Sequence, residues 1–80
     1  MPWNTDIRPA ILRALADEPA DLYTVADTIS EPPFRVRAEL LSLRRDRLVR
    51  RRADGLRMIW GLTSAGAAAV WTQPELPEAR

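Results

Sequence analysis

Apolar side chains recur along the first half of the chain at the spacing of a helix. Ile7, Ile11, Leu12 and Leu15 fall on one helical face, which predicts a helix from about Asp6 to Ala16 with Thr5 as its cap. Pro9 is compatible only with the first turn, where an amide hydrogen would lack an intrahelical acceptor anyway. The segment Asp17-Glu18-Pro19-Ala20 reads as a loop. Asp21 is a suitable N-cap for a short second helix, with Leu22, Val25, Ala26 and Ile29 turned inward. Ser30-Glu31-Pro32-Pro33 forces a tight extended turn, after which a third helix is expected from near Pro33 to about Arg47. Its inward face is Val36, Leu40 and Leu43, and Leu48 and Val49 complete the seam.

From Val49 onward the period changes. Val49-Arg50-Arg51-Arg52-Ala53 and Leu56-Arg57-Met58-Ile59-Trp60 flank Asp54-Gly55, a dipeptide favoured in tight turns with positive φ, and together they predict a β-hairpin. Thr63 or Ser64 can cap a short last helix through Trp71, rich in small residues that permit close packing. The tail, 72–80, carries two Pro and two Glu and is expected to be disordered. The division is thus an arm at 1–5, a domain at 6–71 and a tail at 72–80. The fold class is α+β: a three-helix core, a two-stranded hairpin and a short C-terminal helix.

Composition narrows the functions this fold can serve. Eighty residues make one domain, since a chain of this size buries only about 60–65% of the surface its unfolded form exposes. With 46% hydrophobic and 29% charged residues, and no apolar run near the roughly 18–20 residues needed to cross a bilayer, no membrane partner is expected. Met1-Pro2-Trp3-Asn4-Thr5-Asp6 has no cationic start and no apolar stretch of signal length, which points to the cytoplasm. The absence of cysteine and histidine removes thiolate nucleophiles, imidazole bases and the usual zinc ligands. The carboxylates are scattered or sit at helix caps; Asp17, Glu18 and Asp21 read as a loop and a cap rather than a catalytic cleft. Neither an enzyme, a metal nor a cofactor is expected.

The formal net charge of +1 conceals a strong asymmetry. Residues 1–31 hold two Arg against six acids, net −4; residues 32–57 hold nine Arg against three acids, net +6; residues 58–80 hold one Arg against two acids, net −1. Nucleic-acid contact depends on local field rather than on the sum. Every cation is Arg, which is what GC-rich coding would produce; guanidinium also makes bidentate contacts to phosphate and guanine that ammonium cannot.

The element order and three short stretches resemble the MarR and PadR groups of bacterial transcriptional regulators, winged helix-turn-helix proteins. Val25-Ala26-Asp27-Thr28-Ile29 is similar to the short helix those families write as Leu-Ala-x-x-Leu. Leu40-x-x-Leu43 running into Leu48-Val49 and Arg matches the end of their recognition helix, and Trp60-Gly61-Leu62-Thr63-Ser64-Ala65-Gly66 their aromatic-x-Leu-Thr-x-x-Gly join between wing and last helix. The resemblance covers about residues 7–71. Two departures stand out: Arg47 occupies the place where those families usually have Gly, and Pro32-Pro33-Phe34 replaces a more polar helix start. It implies a regulator that binds double-stranded DNA. The long flanking helices of the MarR group, which carry its dimer interface and ligand pocket, have no counterpart in this sequence, so a small-molecule effector is not expected.

On that reading the third helix enters the major groove with Phe34, Arg35, Arg37, Ala38, Leu41 and Arg45 outward. Arg37, and next Arg35, are candidates to read guanine. Phe34, Ala38 or Leu41 can meet a thymine methyl, while Arg44 and Arg45 are expected at phosphates. Arg52 and Arg57 are expected near the wing tip, at backbone or minor groove. Trp60 is assigned to the core at the wing base, Tyr23 to a partly buried site. Trp3 and Trp71 are candidates for a homodimer interface if the first and last helices lie together, or else cover the underside of one domain. Three alternatives remain open. The arginines can form a solvated face neutralised by Glu39, Asp46 and Asp54. The protein can be an architectural, excisionase-like factor that bends DNA, or a protein-interaction module.

Overall fold

A computed structural model describes residues 6–71, apart from the Trp71 side chain. The arm with Trp3 and the tail at 72–80 lie outside the described residues. The elements follow in the order α1 (Arg8–Asp17), β1 (Ala20–Asp21), α2 (Leu22–Ile29), α3 (Pro33–Arg45), β2 (Val49–Asp54), β3 (Arg57–Leu62) and α4 (Ser64–Trp71). No described helix is long and apolar enough to cross a membrane.

The helical core has the composition expected from the periodicity. Ile7, Ile11, Leu12 and Leu15 of the first segment meet Val25 and Ala26 of α2, and Val36, Leu40 and Leu43 of α3, with Val49 and Trp60 closing the sheet side. Ile11, Val25, Val36, Leu40, Leu43 and Val49 are the largest fully buried side chains, each worth about 1.5–3 kcal/mol of burial. Leu22, Ile29 and Leu48 pack partly buried against them. Tyr23 does not: it is 68% exposed, because it lies one residue, or about 100°, around the helix from Leu22 and leaves the inward stripe.

Helix ends account for the remaining differences. No side chain of Ile7 caps α1; the Asp6 carboxylate instead accepts the Arg8 amide at 3.0 Å, and the expected Thr5 lies outside the described residues. Asp21 caps α2 as expected, its Oδ1 accepting from the Thr24 amide at 3.2 Å. Two helices end on a left-handed residue that is not glycine, Ser30 at φ 58° and Arg47 at φ 65°. At the end of α3 the Leu48 amide donates to the Leu43 carbonyl at 2.9 Å and the Arg47 amide to the Arg44 carbonyl at 3.0 Å, the paired bonds of a Schellman motif. This reversal stops α3 at Arg45 rather than at Arg47. The departure from the family's glycine is therefore met by an arginine held in glycine's conformation.

The sheet has three strands in the order β1-β3-β2, all antiparallel. The hairpin is present, but Asp54 pairs with Arg57, so the two-residue turn is Gly55-Leu56, one residue later than Asp54-Gly55. Gly55 carries the positive φ of 67°, as the first central residue of a type II′ turn requires. Ala20, expected as loop, and Asp21, expected only as a helix cap, pair with Trp60 and Ile59. A two-residue strand is too short to leave an alternation in the sequence.

The wing is joined to the helices through Thr63. Its hydroxyl donates to the Arg47 carbonyl at 2.7 Å and accepts the Gly66 amide at 3.0 Å, while its own amide donates to the Leu48 carbonyl at 3.1 Å. Gly66 is buried here, and a Cβ at that position would overlap the Leu48 carbonyl, with the carbonyl carbon only 2.9 Å away. Two substitutions should therefore shift stability in opposite directions. Arg47→Gly relieves a left-handed side chain and is expected to stabilise by about 1 kcal/mol. Gly66→Ala is expected to destabilise by about 2 kcal/mol or more through backbone displacement. Urea denaturation followed by circular dichroism reads both; an unchanged midpoint for Gly66→Ala would show that the junction is looser than described.

Candidate nucleic-acid interface

Because Val36, Leu40 and Leu43 are drawn into the core, the helical period leaves Phe34, Arg37, Ala38, Leu41, Arg44 and Arg45 on one continuous exposed stripe of α3. The middle of this stripe faces the wing. Arg37 and Leu41 line one side of an open groove of about 380 Å³, and Arg51, Leu56, Met58 and the edge of Trp60 line the other, with Tyr23 at its α2 end. Trp60 itself is buried, at the base of the wing as expected. The Arg51 guanidinium lies over its ring, 5.6 Å from the centroid, a cation–π contact that holds a cation at the groove wall.

Not every candidate joins this face. Arg35 Nη1 is 2.7 Å from Glu31 Oε1, and its side chain is only 19% exposed, so this guanidinium braces the start of α3. Arg52 lies on the opposite face of the wing, beside Arg50, Ile59 and Pro19, because strand alternation separates it from Arg51. Arg57 borders the groove, and its Nη2 reaches Asp21 Oδ1 at 3.5 Å. Trp71 belongs to α4, but its side chain, like all of Trp3, falls outside the described residues.

Arg51, Tyr23 and Met58 were not among the residues expected at the interface. Alternation from the sequence does set Arg51 on the Val49 face of β2, but assigns it no contact. Met58 follows from the same parity on β3. Tyr23 carries no such signal, because exposure of one ring on a short helix depends on where the wing stands.

Mutual neutralisation does not account for the basic segment. Asp46 is taken by Arg8 from α1, at 2.7 Å from its Nη2, and this hydrogen bond raises the Arg8 pKa. Glu39 lies 3.9 Å from the same side chain. Of the nine arginines at 32–57 only Arg35 and Arg57 form ion pairs among the described residues, so seven do not. Glu39 and Asp46 turn to α1 and Asp54 forms no ion pair among the described residues, so the exposed stripe keeps its positive charge.

No family model and no curated protein matches the chain. Solved structures do. A mutant of Lactococcus lactis ZitR superposes with a TM-score of 0.80 at 20% identity, covering 85% of this chain and 49% of that one. The transcriptional regulator BldR from Sulfolobus solfataricus matches at 0.76 and 24% identity, over 80% of this chain and 48% of that one. The homodimeric winged helix-turn-helix DNA-binding domain Mb0332 from Mycobacterium bovis, a possible ArsR-family transcriptional regulator, matches at 0.69 and 25% identity, over 81% and 58% respectively. The chain thus has the winged helix-turn-helix fold expected from its sequence, and it spans about half the length of the ZitR and BldR chains.

Asp21 links this face to the helix beneath it. Hydrogen bonding from Thr24, its hydroxyl first and then its amide, together with the Arg57 charge, holds the Asp21 carboxyl below its ordinary value against a smaller opposing effect of burial. A depressed folded-state pKa stabilises the protein above the unfolded value near 3.9 and is lost as pH falls through the folded value. Asp21→Asn should therefore flatten the acid limb of the stability curve below about pH 4. Asp21→Ala should cost about 1 kcal/mol at neutral pH through loss of the cap. Thermal melts between pH 2.5 and 7 check both; an acid limb identical to wild type in Asp21→Asn would exclude this linkage.

Proposed function

We propose that this chain binds double-stranded DNA as part of a transcriptional regulator, with α3 in the major groove and the β2–β3 hairpin against the backbone or minor groove. The observation that carries this reading is the exposed stripe of α3, which combines unneutralised Arg37, Arg44 and Arg45 with the small or apolar Phe34, Ala38 and Leu41. A major groove about 12 Å wide admits such a helix. Arg37, at mid-stripe, would read guanine, and Phe34, Ala38 and Leu41 would meet thymine methyls. Arg44 and Arg45, in the last turn, would meet phosphate, as would Arg51 at the groove wall.

The protein would act by occupying a promoter as a repressor, with no cofactor. The homodimeric state of Mb0332 supports a second copy as partner, with Trp3 and Trp71 as the candidate contacts. Two recognition helices would then stand about 34 Å apart over a roughly palindromic site.

A different observation favours a protein-interaction module. The exposed large hydrophobics, Tyr23, Phe34, Leu41, Leu56 and Met58, all gather on this face, and such a patch also suits a protein partner. Titration into a short mixed-sequence duplex at several salt concentrations separates the two. DNA binding should weaken steeply with salt, with a slope of about three to six phosphate contacts per protomer. Arg37→Ala should bind roughly tenfold more weakly. No binding even at low salt would leave the protein-interaction reading in its place.

A further inference from the structure

We infer that Leu56, at the tip of the β2–β3 hairpin, is an apolar wedge that enters the minor groove and kinks the bound duplex. The inference rests on the DNA-binding reading above and adds to it a residue and a deformation.

Leu56 is the most exposed large hydrophobic described, at 106% of its reference area. It belongs to neither strand, since the ladder ends at Asp54 and Arg57. Gly55 beside it turns with positive φ, and a Cβ built on it would meet nothing within 4 Å. Nothing in folding requires an apolar side chain there. Leu56 borders the groove as Tyr23, Leu41 and Met58 do, but it alone of them sits in the turn at the end of the hairpin. β1 supports β3 only at Ile59 and Trp60, so the hairpin beyond them projects about 10 Å by strand rise.

A wedge must be held stiffly, or it yields before the base stack does. Here the hairpin is anchored by buried Trp60 with Arg51 over its ring, and braced by the Arg57–Asp21 pair at 3.5 Å. Arg52 and Arg57, one on each strand, stand behind the tip and can meet phosphates on the two sides of a minor groove. Asp54 works the other way, placing a carboxylate at the tip with no ion pair among the described residues. A tip built only to attract phosphate would not carry Asp54 and Leu56 side by side; one that inserts a hydrocarbon between bases needs the leucine. Leucine is among the side chains that unstack a base step in this way.

The test uses the full chain and an end-labelled duplex of about 30 base pairs with a flexible TA step at its centre. Anisotropy reads binding, energy transfer between the ends reads bending, and 2-aminopurine at the step reads unstacking. Wild type should shorten the end-to-end distance and raise the 2-aminopurine signal at saturation. Leu56→Ala should still bind, within about fivefold, but lose both signals, while Leu56→Phe restores them; Arg37→Ala should lose affinity and, at saturation, keep the bend. Because Leu56 makes no core contact, these variants should melt as wild type does. Saturable binding to a duplex that stays straight, or a bend indifferent to Leu56→Ala, overturns the wedge and leaves the DNA reading intact. Failure to bind any duplex at low salt overturns both.

Discussion

The Thr63 hydroxyl, set between the Arg47 carbonyl and the Gly66 amide, fixes the relation between the helix and the hairpin on which every functional argument depends. Arg47 leaves α3 in a left-handed turn, so the chain enters β2 within two residues and cannot drift away from the helix axis. Thr63 then fastens the returning end of the hairpin to that turn, and Gly66 lets α4 approach the Leu48 carbonyl more closely than any side chain would allow. Donors and acceptors that would otherwise be orphaned at a helix end and a helix start satisfy one another. A groove between α3 and the wing exists because this junction sets its width.

Much of this architecture was legible in the chain. The inward stripes Ile7-Ile11-Leu12-Leu15, Val25-Ala26 and Val36-Leu40-Leu43 specify three helices and their mutual faces, because burial and helical period act on the same residues. The Leu62-Thr63-Ser64-Ala65-Gly66 stretch was recognisable as a join, although only the geometry explains why threonine and glycine stand three residues apart. What could not be read depends on tertiary pairing. Ala20-Asp21 becomes a strand only because Trp60 and Ile59 are presented to it. The turn falls at Gly55-Leu56 because positive φ is required at its first central residue. Arg35, ranked after Arg37 from the sequence, is engaged by Glu31 one helical turn before it, a local spacing that the sequence did contain.

The surface that results is mixed in character. The α3 acid Glu39 and the adjoining Asp46 are drawn off by Arg8 of α1, so the arginines on the exposed stripe of α3 and on β2 retain their field. Among them stand exposed apolar side chains, which cost little on an otherwise well-buried domain but are unusual in being confined to one side. Cations supply attraction and orientation on a polyanion, whereas apolar groups gain only by direct contact with base methyls, sugars or an unstacked step. On the proposed DNA-binding reading, their coincidence on one face ties the long-range and the short-range parts of recognition to a single unit.

On the proposed reading, the α3 stripe and the groove-facing side of the wing together form the nucleic-acid surface. Backbone amide shifts of the isotopically labelled protein, followed while a short duplex is added at low salt, test this most directly. Perturbations concentrated at 34–45 and 51–58, with the outer face of α1 quiet, are the expected result. Perturbations that map instead to α1 and α4, or spectra that do not change at all, would contradict it.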